Sequence, residues 1–200
     1  MILENEVGLP MSDEKIILNN IKYRRSVFPP SYTTQPIAEE VILELVTAAN
    51  CAPTHKFTQP WRFTIFKGNG LMALAHQMAS LYKSHTPAEQ FLPKKHAAIQ
   101  EKITRSAVVI AIRIKYSGLV PKWEEVAAVG CAVQNLWLAA HAKGIGGYWS
   151  TPDIAGHLNE FLNLEKEEEC LGLFYLGYHH ESPAVGKRTP ISEKIDWVLD

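Results

Sequence analysis

The chain has 200 residues, 46% of them hydrophobic, which is enough for one domain with a sizeable core. A formal net charge of −1 argues against general nucleic-acid binding but leaves room for a local basic patch, and no apolar run approaches the roughly 18 residues of a membrane-spanning helix. Three widely spaced cysteines, Cys51, Cys131 and Cys170, form no CxxC or Cys/His zinc pattern. We therefore expect no metal site and a reduced, cytoplasmic protein.

The chain is expected to divide into a short leader and one domain. Residues 1–11 are predicted to be a loose leader, since they lack the basic start and apolar core of a secretory signal. Residues 12–200 contain no internal repeat and no low-complexity segment. They are predicted to form a single domain.

The first half of this domain is predicted to hold three helices and a strand. One helix begins after Ser12 and ends near Arg24, and a second begins at about Pro36 with its apolar residues at helical spacing. The alternating aromatic and β-branched run 61–66 predicts a strand, and apolar positions within 71–78 mark a third helix.

The second half begins with a polar, proline-containing stretch, about 84–95, which is expected to be a mobile excursion. The elements predicted after it are a buried strand at 107–114, a long central helix at 126–140, a short helix at 154–161 and a strand at 171–176. The tail, 186–200, does not look like an independent element. Strands and helices do not alternate regularly, so we expect an α+β fold, with a mixed central sheet flanked by helices, rather than a doubly wound fold.

Two guanidinium groups and a hydroxyl follow the first predicted helix, at Arg24, Arg25 and Ser26. Guanidinium forks and a hydroxyl all donate to phosphate oxygens, so this combination suits a phosphate. Taken alone, such a pair is more often a solvated cationic helix end.

A proline-punctuated loop joins the second helix to the first strand and carries Cys51, His55 and Trp61. Pro53 and Pro60 restrict the residues before them, so the loop is stiff. An imidazole and an indole can border a planar aromatic ligand, although a capped surface histidine in a plain connector explains the same residues.

Two further motifs lie towards the C-terminus. The segment 144–151, Gly-Ile-Gly-Gly-Tyr-Trp-Ser-Thr, follows the central helix, so it is not a GxGxxG fingerprint, and by itself it is a helix cap with flexible turns. Lys187 and Arg188 precede Pro190, and by themselves they form a basic tail.

Together these motifs resemble the nitroreductase family of FMN-dependent oxidoreductases. Arg-Arg-Ser precedes an N-C-A-P-x-H-x-x-x-Q-P-W-R-F segment, a glycine-bearing segment follows the central helix, and a basic residue precedes a proline near the end. The resemblance spans about 12–198, and the short length and A-P-x-H loop resemble the minimal bacterial branch.

The resemblance implies a nitroreductase-like fold and an intertwined homodimer with FMN at the subunit interface, so that each site draws on both chains. By position, the arginines and Ser26 are implied to contact the phosphate, and the segment after the central helix the isoalloxazine. The implied FMN-binding residues are Arg24, Arg25, Ser26, Cys51, His55, Trp149, Ser150, Thr151, Lys187 and Arg188.

The resemblance also implies ping-pong turnover, in which NADH or NADPH reduces FMN and leaves before an electron-poor acceptor, such as a nitroaromatic or quinone, enters. His55 is the candidate catalytic side chain, because its ring can donate to the flavin or to an acceptor oxygen. Neither nucleic acid nor a membrane is implied as a partner. The sequence assigns neither the physiological acceptor nor a preference between NADH and NADPH.

Two positions depart from the family pattern. Phe28 stands where many members carry a basic residue, so the positive charge near flavin N1 and O2 is missing or comes from Arg25 or His55. Cys51 stands where many members have Ser or Arg, and the sequence offers no account of it.

Two other hypotheses for the function remain. The first is a flavin-sequestering protein on the same fold, and the second is an interaction module that has lost flavin. Retention of Arg24, Arg25, Ser26 and Arg188 argues against the second.

Overall fold

The computed structural model describes residues 12–182 and 185–199, so the predicted leader lies outside the described residues. The division into a leader and a single domain stays a prediction. The described helices are α1 (Asp13–Tyr23), α2 (Glu39–Asn50), α3 (Asn69–Ser84), α4 (Pro93–Thr104) and α5 (Lys122–Ala142). The described strands are β1 (Trp61–Phe66), β2 (Val108–Lys115), β3 (Ile145–Ser150) and β4 (Glu168–Tyr178).

The four strands form one sheet in the order β1-β2-β4-β3, and each neighbouring pair is antiparallel. β2 and β3 both pair with β4, so they run parallel to each other, and α5 is the crossover between them. The predicted α+β class is confirmed. A mixed sheet is expected from the sequence. Within the described ranges, however, the parallel pairing is limited to a single bridge between Ser26 and Gly147, beside β3.

The core lies on both faces of this sheet. Alternate residues of β2 belong to the cores on opposite faces of the sheet, because successive side chains of a strand point to opposite faces. Val108, Ile110 and Ile112 pack with α2 and α5, whereas Val109 and Ala111 pack with α3. This two-sided burial is the reason the run 107–114 is apolar at nearly every position.

Two elements differ from the sequence-based expectation. The stretch 84–95, predicted as a mobile excursion, instead holds the end of α3, a short 3₁₀ turn at Ala88–Gln90 and the start of α4. Pro93 occupies the first turn of α4, where a missing N–H costs nothing, and only Ile103 of that helix is buried, so its apolar pattern was weak. The glycine-bearing segment after α5 forms strand β3, which was not predicted.

The glycine at position 177 is required by close packing. A Cβ there would lie 2.5 Å from Cγ of Tyr32. Tyr32 cannot easily move, because it is buried and its hydroxyl lies 2.8 Å from the carbonyl oxygen of Val27 and 3.0 Å from that of Tyr175.

Gly177→Ala should therefore lower the free energy of unfolding by about 1–3 kcal/mol, the usual cost of overpacking. Gly156→Ala is the matched control, because a Cβ at 156 meets nothing within 4 Å, and its effect should stay within about 0.5 kcal/mol. Urea denaturation of both variants measures the difference, and equal stabilities would contradict the packing argument.

Candidate active site

Three arginines meet near the end of α5. Arg24 directly follows α1, and its guanidinium carbon lies 4.2 Å from the centroid of the Trp137 ring. The side chains of Arg25 and Arg188 both lie against Gly186, since a Cβ on that glycine would be 2.8 Å from Arg25 Cζ and 2.9 Å from an Arg188 terminal nitrogen. The pKa of Arg24 is lowered by burial and then by the charges of Arg25 and Arg188. We call these three residues the arginine cluster.

The arginine cluster has donors that the described residues do not use. Nε and one terminal nitrogen of Arg24, and Nε of Arg25, are buried without a hydrogen-bond partner in the described part of the chain. Arg25 otherwise donates to the carbonyl oxygens of Arg24 and Lys22. No ion pair between these arginines and a carboxylate occurs among the described residues. Because buried charged donors are costly when unpaired, the cluster fits a bound anion such as a phosphate.

A small cleft of about 90 Å³ opens beside the arginine cluster. Arg25, Ser26, His141 and His179 are among its lining residues. Burial lowers the pKa of His141, and the charges of Arg24, His179 and Arg25 lower it further. His141 is therefore biased towards its neutral form, as expected where positive charge is already concentrated.

Ser26 connects the arginine cluster to β3. It forms a parallel bridge with Gly147, and the N–H of Val27 donates to the Gly147 carbonyl at 3.1 Å. Trp149 and Ser150 lie on the same strand, roughly 7–10 Å further along it. Thr151 directly follows the strand. The structure thus brings the Arg-Arg-Ser motif and the Trp-Ser-Thr motif to one edge of the sheet.

The A-P-x-H loop lies elsewhere in the same chain. His55 Nδ1 is 2.6 Å from Oε2 of Glu124, in the first turn of α5, and Cys51 is exposed at the end of α2. Between Glu124 and Trp137 the helix rises roughly 20 Å. One chain therefore does not place His55 beside the arginine cluster.

The loop around His55 is held in an unusual backbone conformation. Lys56, Phe57 and Gln59 have positive φ angles of 49°, 54° and 42°, which non-glycine residues seldom adopt. The Phe57 side chain is 88% exposed. Such conformations persist only where the surroundings hold them, which agrees with the predicted stiffness between two prolines.

Lys187 is exposed, and its described contact is through the backbone, since the Arg188 side chain donates to the Lys187 carbonyl at 2.8 Å. Lys187 is thus next to the arginine cluster in sequence, without a side-chain contact to it among the described residues.

Sequence reasoning missed Lys102, because it missed α4. Lys102 Nζ donates to Ser150 Oγ at 3.0 Å and lies 4.5 Å and 4.4 Å from the ring centroids of Tyr148 and Tyr175. Burial lowers the pKa of Lys102 to about 8. The spacing of Ile99 and Ile103, one helical turn apart, was the available signal for the helix that carries it.

Two other kinds of site are absent from the described ranges. No group of His, Cys, Asp and Glu side chains there could hold a metal ion. No described helix is long and apolar enough to cross a membrane.

Comparison with known proteins identifies the family. Residues 21–178 match the model of the Nitroreductase family, and this chain belongs to that family. A Bacillus subtilis protein named "Putative NAD(P)H nitroreductase YfhC" is 27% identical over 184 residues, which cover 90% of this chain and 93% of that protein. The resemblance drawn from the sequence motifs is confirmed.

Solved structures confirm the fold. The nitroreductase-like family protein from Bacillus cereus superposes with a TM-score of 0.80 at 25% identity, covering 96% of this chain and 98% of that one. A "putative nitroreductase in complex with FMN" from Desulfovibrio desulfuricans superposes with a TM-score of 0.70 at 22% identity, covering 95% and 99%. The described architecture is therefore nitroreductase-like.

Inorganic phosphate should bind the arginine cluster in protein free of flavin and raise its melting temperature. A protein of this size gains about 2–4 °C for each kcal/mol of ligand stabilisation. Arg24→Ala should lose most of that gain, whereas Lys67→Ala should keep it, since Lys67 is a surface cation paired with Glu39. Thermal unfolding across a phosphate series at constant ionic strength tests this, and equal gains in all three proteins would refute the cluster as a phosphate site.

Proposed function

We propose that this protein is an FMN-dependent oxidoreductase that passes hydride from NADH or NADPH to a small electron-poor acceptor such as a nitroaromatic or quinone. The observation that carries the proposal is the set of guanidinium nitrogens of Arg24 and Arg25 that are buried beside Ser26 and have no hydrogen-bond partner in the part of the chain that the structure describes. Membership of the nitroreductase family supports it. So do the NAD(P)H nitroreductase name of the B. subtilis relative and the FMN in the D. desulfuricans structure.

The chain offers separate groups for the two ends of FMN. The arginine cluster and Ser26 would bind the phosphate, with donors that match its oxygens. Trp149, Ser150 and Thr151 would border the isoalloxazine. When bound, FMN supplies hydride exchange, in a ping-pong scheme that takes a hydride from NAD(P)H and passes it to the acceptor. No nucleophile or triad from the protein is required.

We further propose a homodimer in which the A-P-x-H loop of one subunit completes the site of the other. This arrangement accounts for His55 being far from the arginine cluster of its own chain. It also gives a partner to α1, which has no buried residue and exposes Ile16, Ile17 and Ile21 by 48–60%. The described end of the tail is likewise apolar and exposed, with Trp197 78% and Val198 98% accessible.

His55 would affect the rate of turnover in this shared site. Its contact with Glu124 fixes the ring through Nδ1 and leaves Nε2 available to a ligand. The free cysteines Cys51, Cys131 and Cys170 agree with a cytoplasmic location, which is part of the proposal.

Arg24→Ala should weaken FMN about tenfold or more but change riboflavin little, because a charge-assisted hydrogen bond to phosphate contributes roughly 1.5–3 kcal/mol. Lys67→Ala should bind both flavins as the parent does. Calorimetric titration with each flavin gives the comparison. Equal losses for FMN and riboflavin in Arg24→Ala would remove that residue from the phosphate site, and no FMN binding by the parent would overturn the proposed function.

Mixing two defective subunits should restore activity if the site is shared. Arg24→Ala should be inactive at low FMN, and His55→Ala should turn over roughly tenfold or more slowly even when saturated with FMN. In randomly exchanged dimers about a quarter of the sites would combine the intact arginine cluster of one subunit with the intact loop of the other.

NADPH oxidation with a quinone, measured after unfolding and refolding the mixed variants, is the assay. A mixture no more active than the average of the two variants would mean that each site is built from one chain. A flavin that neither NADH nor NADPH reduces anaerobically in the parent protein would instead favour flavin sequestration.

A further inference from the structure

His141 lies between the arginine cluster and the end of α5, which have opposite effects on its charge. The carbonyl groups at a helix C-terminus favour a cation, and α5 ends at Ala142. His141 also lines the cleft of about 90 Å³ with Arg25 and Ser26, and the charges of Arg24 and Arg25 oppose its protonation. The neutral imidazole is therefore favoured as long as the guanidinium charges are not compensated.

The position of His141 on α5 directs it towards the arginine cluster. Arg24 stacks on Trp137, and His141 follows Trp137 by four residues, so the two side chains share one face of the helix. Arg188 adds a further positive charge beside Arg24, and α1 contributes the phenol of Tyr23 to the cleft lining. A cleft of this size, bordered by this much positive charge, suits a single small anion.

His179 is the other imidazole of the cleft, and its hydrogen bond opposes a change of charge. The N–H of Glu181 donates to His179 Nδ1 at 3.1 Å, so this nitrogen carries a lone pair. A proton there would turn the acceptor into a second donor and break the bond. The His141 ring makes no side-chain hydrogen bond among the described residues, so it has no such constraint.

The remaining charged groups near His141 are already paired. Among the described residues that line the cleft, Glu181 is the only carboxylate, and it is exposed and accepts a hydrogen bond from Ser31. Lys143, two residues after His141, forms an ion pair with Glu44. The charge of His141 therefore depends mainly on the arginines and on any anion that binds to them.

We propose that His141 is a further residue of the phosphate site, and that it takes up a proton from solvent when a doubly charged phosphate or sulfate binds the arginine cluster. The inference deepens the proposed function, since it takes this cluster as the site of the FMN phosphate. It gives the site a fourth positive charge, which is present only while an anion is bound.

Proton uptake determines the direction of the pH dependence. In the free protein the pKa of His141 is lowered by burial and then by the neighbouring positive charges. A bound dianion raises this pKa, because an opposite charge favours the charged form of the ring. The complex then binds more protons than the free protein. Anion affinity should therefore increase as the pH falls from about 8 to about 6, and the gain is lost again as the pH rises.

Sulfate is the probe, because it remains a dianion throughout this range and brings no titrating proton of its own. Calorimetric titration of the flavin-free full chain at constant ionic strength should give an affinity at least about fivefold higher at pH 6 than at pH 8, the lower end of the usual coupling between two ligands. Titration at pH 7 in two buffers of different ionisation enthalpy counts the protons taken up.

His141→Gln removes the titrating group but keeps a polar side chain. Its sulfate affinity at pH 8 should match that of the parent, because His141 is neutral there, and this match also shows that the variant folds. The gain at pH 6 and the proton uptake should both be lost. His157→Gln is the matched control and should behave as the parent, since His157 stacks on His85 at 3.9 Å, outside the cleft.

His141→Lys places a permanent charge at the same position. It should bind sulfate at pH 8 about as tightly as the parent does at pH 6, with no pH dependence between the two. FMN and riboflavin are titrated in the same two buffers at pH 7. FMN should bind to the parent with proton uptake, whereas riboflavin, which has no phosphate, should bind without it.

The possible failures of the two proposals differ. A parent that binds no sulfate, a sulfate affinity that does not change with pH, or a pH dependence that persists in His141→Gln would overturn the role of His141. Equal proton uptake with FMN and riboflavin would do the same, while the proposed FMN-dependent function would stand. A parent that takes up a proton with sulfate but binds no FMN would overturn the proposed function and leave the proton-linked anion site in place.

Discussion

The Arg-Arg-Ser segment approaches the start of β3 closely, and this contact brings together the two groups of residues that form the candidate site. A Cβ on Gly146 would lie 2.8 Å from Val27 Cβ, and one on Gly147 would lie 2.8 Å from the Phe174 ring. With glycine at both positions, the backbone at Ser26 can bridge to Gly147. This contact puts residues from the end of α1 and residues from β3 on one edge of the sheet, although they are far apart in sequence.

Positive charge along this edge is arranged with little internal compensation. Among the described residues, the arginine cluster leaves three buried nitrogens without hydrogen-bond partners, and Lys102 lies over two tyrosine rings without a paired carboxylate. Elsewhere the chain pairs its cations readily, as in the ion pairs of Arg113 with Glu168 and of Arg105 with Glu101. In our proposal the arginine cluster binds the permanent charge of a phosphate.

The length of α5 separates two groups of the proposed site residues within one chain. The helix carries Glu124, the partner of His55, in its first turn and Trp137, the partner of Arg24, near its end. A straight helix keeps these two contacts roughly 20 Å apart. In our proposal loop and cluster meet through a second chain, and the exposed apolar residues of α1 offer a surface for it.

The sequence alone was sufficient for the family, the α+β class and most of the elements. Regular apolar spacing identified α5, and the two-sided burial of β2 left a continuous apolar run. The motifs at 24–26 and 149–151 were recognisable because their residue types and order are unusual. Local patterns of this kind can be read from the sequence because they record the contacts that each segment makes, whichever part of the chain supplies the partner.

Only the tertiary structure decided which of these segments meet. Strand β3 was missed, since its two glycines resemble a turn, and their close packing against Val27 and Phe174 appears only when β3 and β4 are paired. Lys102 was missed because α4 buries a single residue and so has a weak apolar pattern. The antiparallel register and the separation of His55 from Arg24 likewise depend on long-range packing, which sequence spacing does not encode.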